Sequence, residues 1–463
     1  MSNDHSKSTF DELRWVINIR KTLEEELEED GEFSVSIFSV PKLLMASDPD
    51  SYVPQLVAIG PYHYWRPELY EMQRYKIAAA KRFQKRLQSC KLENLVDQLT
   101  KLEQRARACY HKFLDFNGET LVWMMTVDAS FLLEILQVYA VQEGGKVPGV
   151  SSSMSHLVDY SGKKSAHNAI LRDIVMLENQ IPLFVLRKML EFRFSSLEAA
   201  DDMLSLMFIG LFQEISPFKL MEEYPNTKVS QRLKVLKQPV ENFFFSQEKG
   251  DEKEGGGSSS NNLMNKPPSV EEITIPSVTE LMSSGVRFVP TKGTISNISF
   301  DAKTCTLYLP TIGLDVNSEV FLRNLVAYEA SVASGPLVIA RYTELMNGII
   351  DSEEDAKVLR EKGIILNQLK SDKEVANLWN GMSKSLRLSR VPLLDKVIED
   401  VNKYYNGKMK VKIWKFMKVY IFSSWQFLTF LAAICLLLLM ALQAFCSVYT
   451  CSRFFSSALD HTE

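Results

Sequence analysis

Residues 176–186 read MLENQIPLFVL: three polar residues in a row, an isoleucine and a proline, set in an apolar run. The proline decides how the stretch folds. Pro182 has no amide hydrogen to give the carbonyl of Glu178, so a helix arriving from the N-terminal side kinks or ends here. Glu178, Asn179 and Gln180 carry the donors and acceptors that such a break leaves the backbone needing. The stretch is therefore expected to be a kink in a helix or a junction between helices of a buried body, in preference to a partner-binding surface or a catalytic site.

Outward from this junction, helical periodicity covers about 68–139 and about 169–236, with a Ser- and Gly-containing interruption at 151–167. Pro41, Pro49, Pro54 and Pro61 break 33–64 into loops rather than helices. Residues 246–272, SQEKGDEKEGGGSSSNNLMNKPPSVEE, have the composition of a disordered insert that buries no core. Beyond it a helix ends near Gly285 and a strand follows, and then ISNISFD (295–301) and TCTLYLP (304–310) alternate as strands joined by a short turn. Helices return over about 319–399. The fold class expected is mainly α: a large helical body with a small β-hairpin element, a disordered insert and one C-terminal transmembrane helix. Its segments are an acidic helical N-terminus (1–32), the first part of the body (33–245), the insert (246–272) and the second part (273–402), with the β-element at about 286–310. A basic amphipathic juxtamembrane helix (403–426), the transmembrane helix (427–446) and a short tail (447–463) complete it.

The membrane expectation rests on FLTFLAAICLLLLMALQAF, residues 427–445, which contains no charge. A helix of that length spans roughly 28 Å, close to the ~30 Å hydrocarbon core of a bilayer. Lys403, Lys408, Lys410, Lys412, Lys415 and Lys418 precede it and only Arg453 follows, so the positive-inside rule places the body in the cytosol. The polar N-terminus, MSNDHSKSTFDELRW, is not a secretory signal, which agrees. Lys408, Lys412, Lys415 and Lys418 fall on one helical face, and Trp414 and Trp425 suit the headgroup layer. The lipid bilayer, met through 427–446, is thus one expected partner, and an unidentified protein is the other.

Composition narrows the chemistry. A net charge of −4 over 463 residues argues against a nucleic-acid binder. The six cysteines and six histidines fall in no metal-ligand or disulfide spacing, and phosphate-loop, dinucleotide and serine-hydrolase signatures are missing. No metal, cofactor or catalytic residue is assigned. One sequon, Asn297-Ile298-Ser299, is the sole hint of secretion.

Two pairs of acids in apolar surroundings remain: Asp128 with Glu134, and Asp173 with Glu178. Spacings of six and five residues correspond to about 240° and 140° around a helix, so neither pair shares a face. Convergence of all four with His63 in an open cleft would favour an acid–base enzyme. Burial against backbone groups would favour an architectural role. His63, in AIGPYHYW (58–65), is read as a hydrogen-bonded structural residue, and the basic stretch 74–91 as a solvated helix face.

AIGPYHYW, MLENQIPLFVL, SVTELMSSGVRF (277–288), FLRNLVAYEA (321–330) and GIILNQLKSDKEVANLWN (363–380), in this order before an apolar terminal helix, resemble the plant family of domain of unknown function 247, also called uncharacterised protein family 0481. The family often carries a second histidine where Tyr64 stands here. The resemblance implies a single-pass membrane protein with no agreed activity or cofactor, some grass members being linked to self-incompatibility recognition. The expectation is a membrane-anchored, non-enzymatic interaction or recognition module; the alternative is an enzyme of unrecognised type with a buried carboxylate site.

Overall fold

Two hydrophobic cores, one on either side of the insert, organise the chain. The computed structural model describes residues 15–17, 19–20, 35–87, 91–142, 145–146, 165–218, 273–332, 335–382, 390–408 and 425–448. Most of the acidic N-terminus, the insert, and Lys412, Trp414, Lys415 and Lys418 of the expected juxtamembrane helix lie outside these residues.

The first lobe contains α1 (Lys42–Ser47), α2 (Gln73–Arg86), α3 (Leu92–Thr100), α4 (Glu103–Ala108), α5 (Gly118–Leu136), a two-residue hairpin β1 (Val141–Gln142) and β2 (Gly145–Lys146), α6 (Ser165–Ile174), α7 (Leu183–Phe194) and α8 (Leu197–Ile215). Asn117 starts α5 by accepting the Glu119 amide, an N-cap that satisfies one of the donors a helix start leaves open. From there α5 is apolar almost all round and forms the axis of the lobe. The stretch 118–139 is long and apolar enough to cross a membrane, but 78% of its most apolar window is buried in protein. It is a core helix.

Prolines that were expected to keep 33–64 helix-free start short helices instead. Pro41 sits at the N-cap of α1 and Pro49 opens a 3₁₀ turn. At a first-turn position the missing amide has no intrahelical partner to lose.

The second lobe contains α9 (Val278–Ser283), β3 (Arg287–Thr291), β4 (Ser299–Asp301), β5 (Thr306–Pro310), β6 (Ile312–Leu314), α10 (Ser318–Val332), α11 (Val338–Ile349), α12 (Glu353–Glu361), β7 (Ile365–Asn367), α13 (Asp372–Met382) and α14 (Pro392–Gly407). Ser277 and Glu280 close a capping box at the start of α9, and Gly285, at φ +96°, releases the chain into β3. The expected hairpin is present as β4–β5, with Phe300 opposite Leu307. It is only part of the β-structure. The strand expected after Gly285, β3, adds in parallel to the other side of β5, and β6 pairs in parallel with β7, which lies inside the region 319–399 expected to be helical. Parallel partners are separated by long crossovers, so no turn signal announces them.

The lobes interlock. Phe218, from the N-terminal side of the insert, packs in the second core with its ring 5.8 Å from that of Tyr342, and Pro217 accepts the Gly313 amide at 2.7 Å. From the other side α10 returns to the first lobe: Asn324 accepts the Leu177 amide at 2.8 Å and donates to the Ser51 carbonyl at 2.8 Å. Around it Val40, Leu44, Tyr52, Leu177 and Ala327 form a small apolar seam.

A final helix, α15 (Trp425–Val448), is 24 residues long and uncharged, and its side chains from 429 to 445 are exposed.

Candidate functional site: the polar junction at residues 173–182

The junction is built as its sequence requires. α6 stops at Ile174 and α7 begins at Leu183, with Pro182 at the N-cap. The Gln180 amide donates to the carbonyls of Ile174 and Met176 at 2.8 and 2.9 Å, filling acceptors that the end of α6 leaves open. This is a helix junction rather than a kink.

The other polar residues do something the local reading did not contain: they reach more than a hundred residues back along the chain. Asp173 accepts the amides of Gln55, Leu56 and Val57 at 3.1, 2.6 and 2.8 Å. Asn179 accepts from the Ile59 amide at 2.6 Å and donates to the carbonyls of Val57 and Asp173, both at 2.9 Å. Glu178 accepts the Val40 amide at 2.9 Å and the Lys112 ammonium at 2.7 Å. Residues 55–60 have no ladder of their own, and a buried loop must satisfy its backbone groups. The junction serves as that missing partner.

Gly60 closes the contact. Its φ of +74° suits glycine, and a β-carbon there would collide with the Gln180 carbonyl oxygen. Tyr110 donates its hydroxyl to the same carbonyl at 3.0 Å. The Gly60 amide donates to Asp128 at 2.9 Å, and the other Asp128 oxygen lies 2.6 Å from the Lys76 ammonium, which also donates to the Ala58 carbonyl. Lys76 and Asp128 are each about 1% exposed.

Six residues further along both helices, Arg82 holds Glu134 with nitrogen–oxygen distances of 2.9–3.1 Å. α2 and α5 thus run side by side in the same direction. The spacing that cannot pair two acids on one helix pairs each acid with a base on its neighbour. The solvated-face reading of 74–91 holds for Arg74, Lys81, Lys85, Arg86 and Lys91, which are exposed, and fails at Lys76, which is buried, and in part at Arg82. Lys76 stands in the apolar stripe with Ala79, Ala80 and Phe83, a placement that the i, i+3, i+4, i+7 spacing records.

Asp128, Asp173 and Glu178 therefore converge on residues 40 and 55–60, whereas Glu134 stands apart with Arg82. Burial pushes the Asp128 carboxyl up, opposed by the Lys76 charge and the Gly60 amide. Burial likewise raises Asp173, opposed by its three amide donors. His63 lies with Nε2 3.6 Å from Glu178, beyond hydrogen-bond reach, and that nitrogen has no hydrogen-bond partner among the described residues. Its pKa is lowered to about 4, first by burial and then by the charges of Arg66 and Lys112, so the imidazole is neutral at neutral pH. His63 is buried, as a structural residue is expected to be, but at Nε2 the hydrogen bond expected of it is not found among the described residues. Of the expected interface residues, Lys408 lies over the Tyr404 ring at 4.5 Å, and Trp425 is the first residue of α15. Among the described residues, no three His, Cys, Asp or Glu side chains are grouped to hold a metal ion.

A helical two-lobe body keyed by a LENQIP junction is the form taken here by a class of plant proteins of unknown function. The profile of that class, DUF247, matches residues 37–439, and the chain belongs to this family. It is 44% identical over 520 aligned positions to a putative UPF0481 protein of Arabidopsis thaliana, covering 95% of this chain and 96% of the relative. A second UPF0481 protein of that plant is 27% identical over 432 positions, covering 90% and 87%. No solved structure matches the chain.

Proposed function

We propose that the chain is a membrane-anchored, non-enzymatic interaction module, with a cytosolic body and its terminal helix in a lipid bilayer. The observation that carries the interaction reading is how the buried acids are engaged. An acid–base enzyme needs a carboxylate free to exchange a proton with substrate. Asp128, Asp173, Glu178 and Glu134 instead meet backbone amides, lysine or arginine. The joint effect of Asp128, Asp173 and Glu178 is to fix the loop ahead of Trp65, which is 61% exposed and stacked on Phe116 with ring centroids 6.0 Å apart. A rigid exposed aromatic is the kind of residue that anchors protein interfaces.

The bilayer reading draws support from α15, whose 24 uncharged residues reach ~36 Å at helical rise. Lys408, Lys412, Lys415 and Lys418, with Trp414 and Trp425, are its proposed interfacial anchors.

Deleting residues 427–463 is expected to move the protein from the carbonate-resistant membrane pellet to the supernatant. A truncated protein that stays wholly in the pellet overturns the anchor. For the interaction reading, detergent-solubilised full-length protein and Trp65→Ser are affinity-purified side by side. At least one protein retained by the native chain should be missing with Trp65→Ser while the unfolding temperature is unchanged. Identical sets of retained proteins overturn it.

A further inference from the structure

Beside the buried Lys76–Asp128 pair, a cleft of about 370 Å³ opens between the AIGPYHYW loop, α2 and the solvent-facing stripe of α5. That volume falls in the range of small-molecule sites, ~300–1,000 Å³. Its walls include Tyr64, Ile77 and Trp123, and its polar lining includes Gln73, Glu119 and Asp128. The charged groups in the lining are therefore both carboxylates. They differ in their freedom to act on a ligand. Asp128, on the floor, is balanced by Lys76, whose ammonium is 6.0 Å from the Tyr64 ring centroid. Glu119 is exposed in the first turn of α5 and makes no ion pair among the described residues.

From this arrangement we propose that the cleft is a binding site for a small organic cation, an amine or guanidine carrying a flat apolar body. The body lies against the side chains of Ile77, Tyr64 and Trp123, whose aromatic rings can attract a cation as well as an apolar surface. The cationic end is directed to Glu119 at the mouth. It is kept from the floor by Lys76, whose like charge would repel it there. An anionic ligand would meet Glu119 at the mouth and Asp128 at the floor, both carboxylates, and a neutral one would leave Glu119 unmatched. The proposal does not depend on membrane anchoring or on a protein partner, so its failure would leave those readings untouched.

The test is calorimetry on the full chain in lipid nanodiscs, with empty nanodiscs as reference, using three probes of one skeleton: phenethylamine, 2-phenylethanol and 3-phenylpropionate. Phenethylamine is expected to bind about ten-fold or more tightly than the alcohol, with the carboxylate weakest. Glu119→Gln should shrink the preference for the amine to about three-fold or less, and Trp123→Ala should weaken all three probes. Unfolding temperatures of both variants report whether the fold is intact. Equal binding of the three probes, or no binding of any by the native chain up to about 10 mM, overturns the proposal. So does an amine preference that survives Glu119→Gln in a folded protein.

Discussion

The α-carbon of Gly60 packs against the backbone carbonyl of Gln180 so closely that no β-carbon fits between them. One residue lies in the loop that precedes α2 and the other in the junction before α7, and each is held by its own hydrogen bonds: the Gly60 amide to Asp128, and the Gln180 carbonyl from Tyr110. Gly60→Ala adds both a steric clash and a left-handed backbone strain. It is expected to destabilise the fold by about 3 kcal/mol, read as a lowered midpoint in chemical denaturation. Gly335→Ala, where nothing lies within 4 Å of the added methyl, should leave the midpoint within error.

The Lys76–Asp128 pair should behave as a unit. Lys76→Gln strands a buried carboxylate and Asp128→Asn strands a buried ammonium, so each single change is expected to remove about 3 kcal/mol or more. The double variant restores a neutral, mutually hydrogen-bonding pair and should be well short of the sum of the two. A double-mutant cycle on denaturation midpoints measures this, and simple additivity would contradict a coupled pair.

Stability should also depend on pH through His63. Its folded pKa, about 4, lies below the ordinary value of 6.5, so the unfolded chain binds the proton more readily between those values. The contribution of the neutral, buried ring is fully present above about pH 6.5 and is lost as pH falls toward 4, an effect of up to about 3 kcal/mol. Burial raises Asp128 and Asp173, which adds slopes of the opposite sign, present at low pH and lost as pH rises through their folded pKa values. The difference between native protein and His63→Gln isolates the histidine: the variant's stability should fall less steeply over that window.

Asn297 reports on orientation. Its side chain is exposed at the end of a 3₁₀ turn, within the sequon Asn297-Ile298-Ser299. With the body facing the cytosol the site is never presented to the glycosylation machinery, so treatment with an endoglycosidase should not change the mobility of protein made in plant cells. A mobility shift abolished by Asn297→Gln would place the body on the opposite side of the membrane.

Much of the architecture was legible in the sequence. Pro182 stands between two helices, at the N-cap of the second, and the alternation around residues 299–310 gave a true hairpin. The described helices from Gln73 to Ile215 lie where apolar periodicity put them, while the expected helical residues 219–236 lie outside the described residues. The acids were also visible as polar residues in apolar company. What could not be read was where they point. Asp173 meets residues 55–57 and Glu178 meets residue 40, separations at which no periodicity applies. Lys76 left a trace, since it occupies the same helical stripe as Ala79, Ala80 and Phe83, but a cluster of basic residues around it reads first as a wet surface. The strand β3 was expected after Gly285, but its parallel pairing with β5, and the strand β7, were hidden for the same reason as the acids' partners: the neighbours are distant in sequence.

The exchange of Phe218 and Asn324 between the lobes bears on how the chain may be divided. Each half, cut anywhere between residues 246 and 272, would carry a piece of the other's interior: Phe218 fills the core built mainly after the cut, and Asn324 bonds to backbone made before it. Two polypeptides separately translated from such a divided gene should therefore each be poorly folded alone and reassemble when co-expressed. The insert would then be a place to break the protein without losing it, and a natural position for a split reporter in living cells.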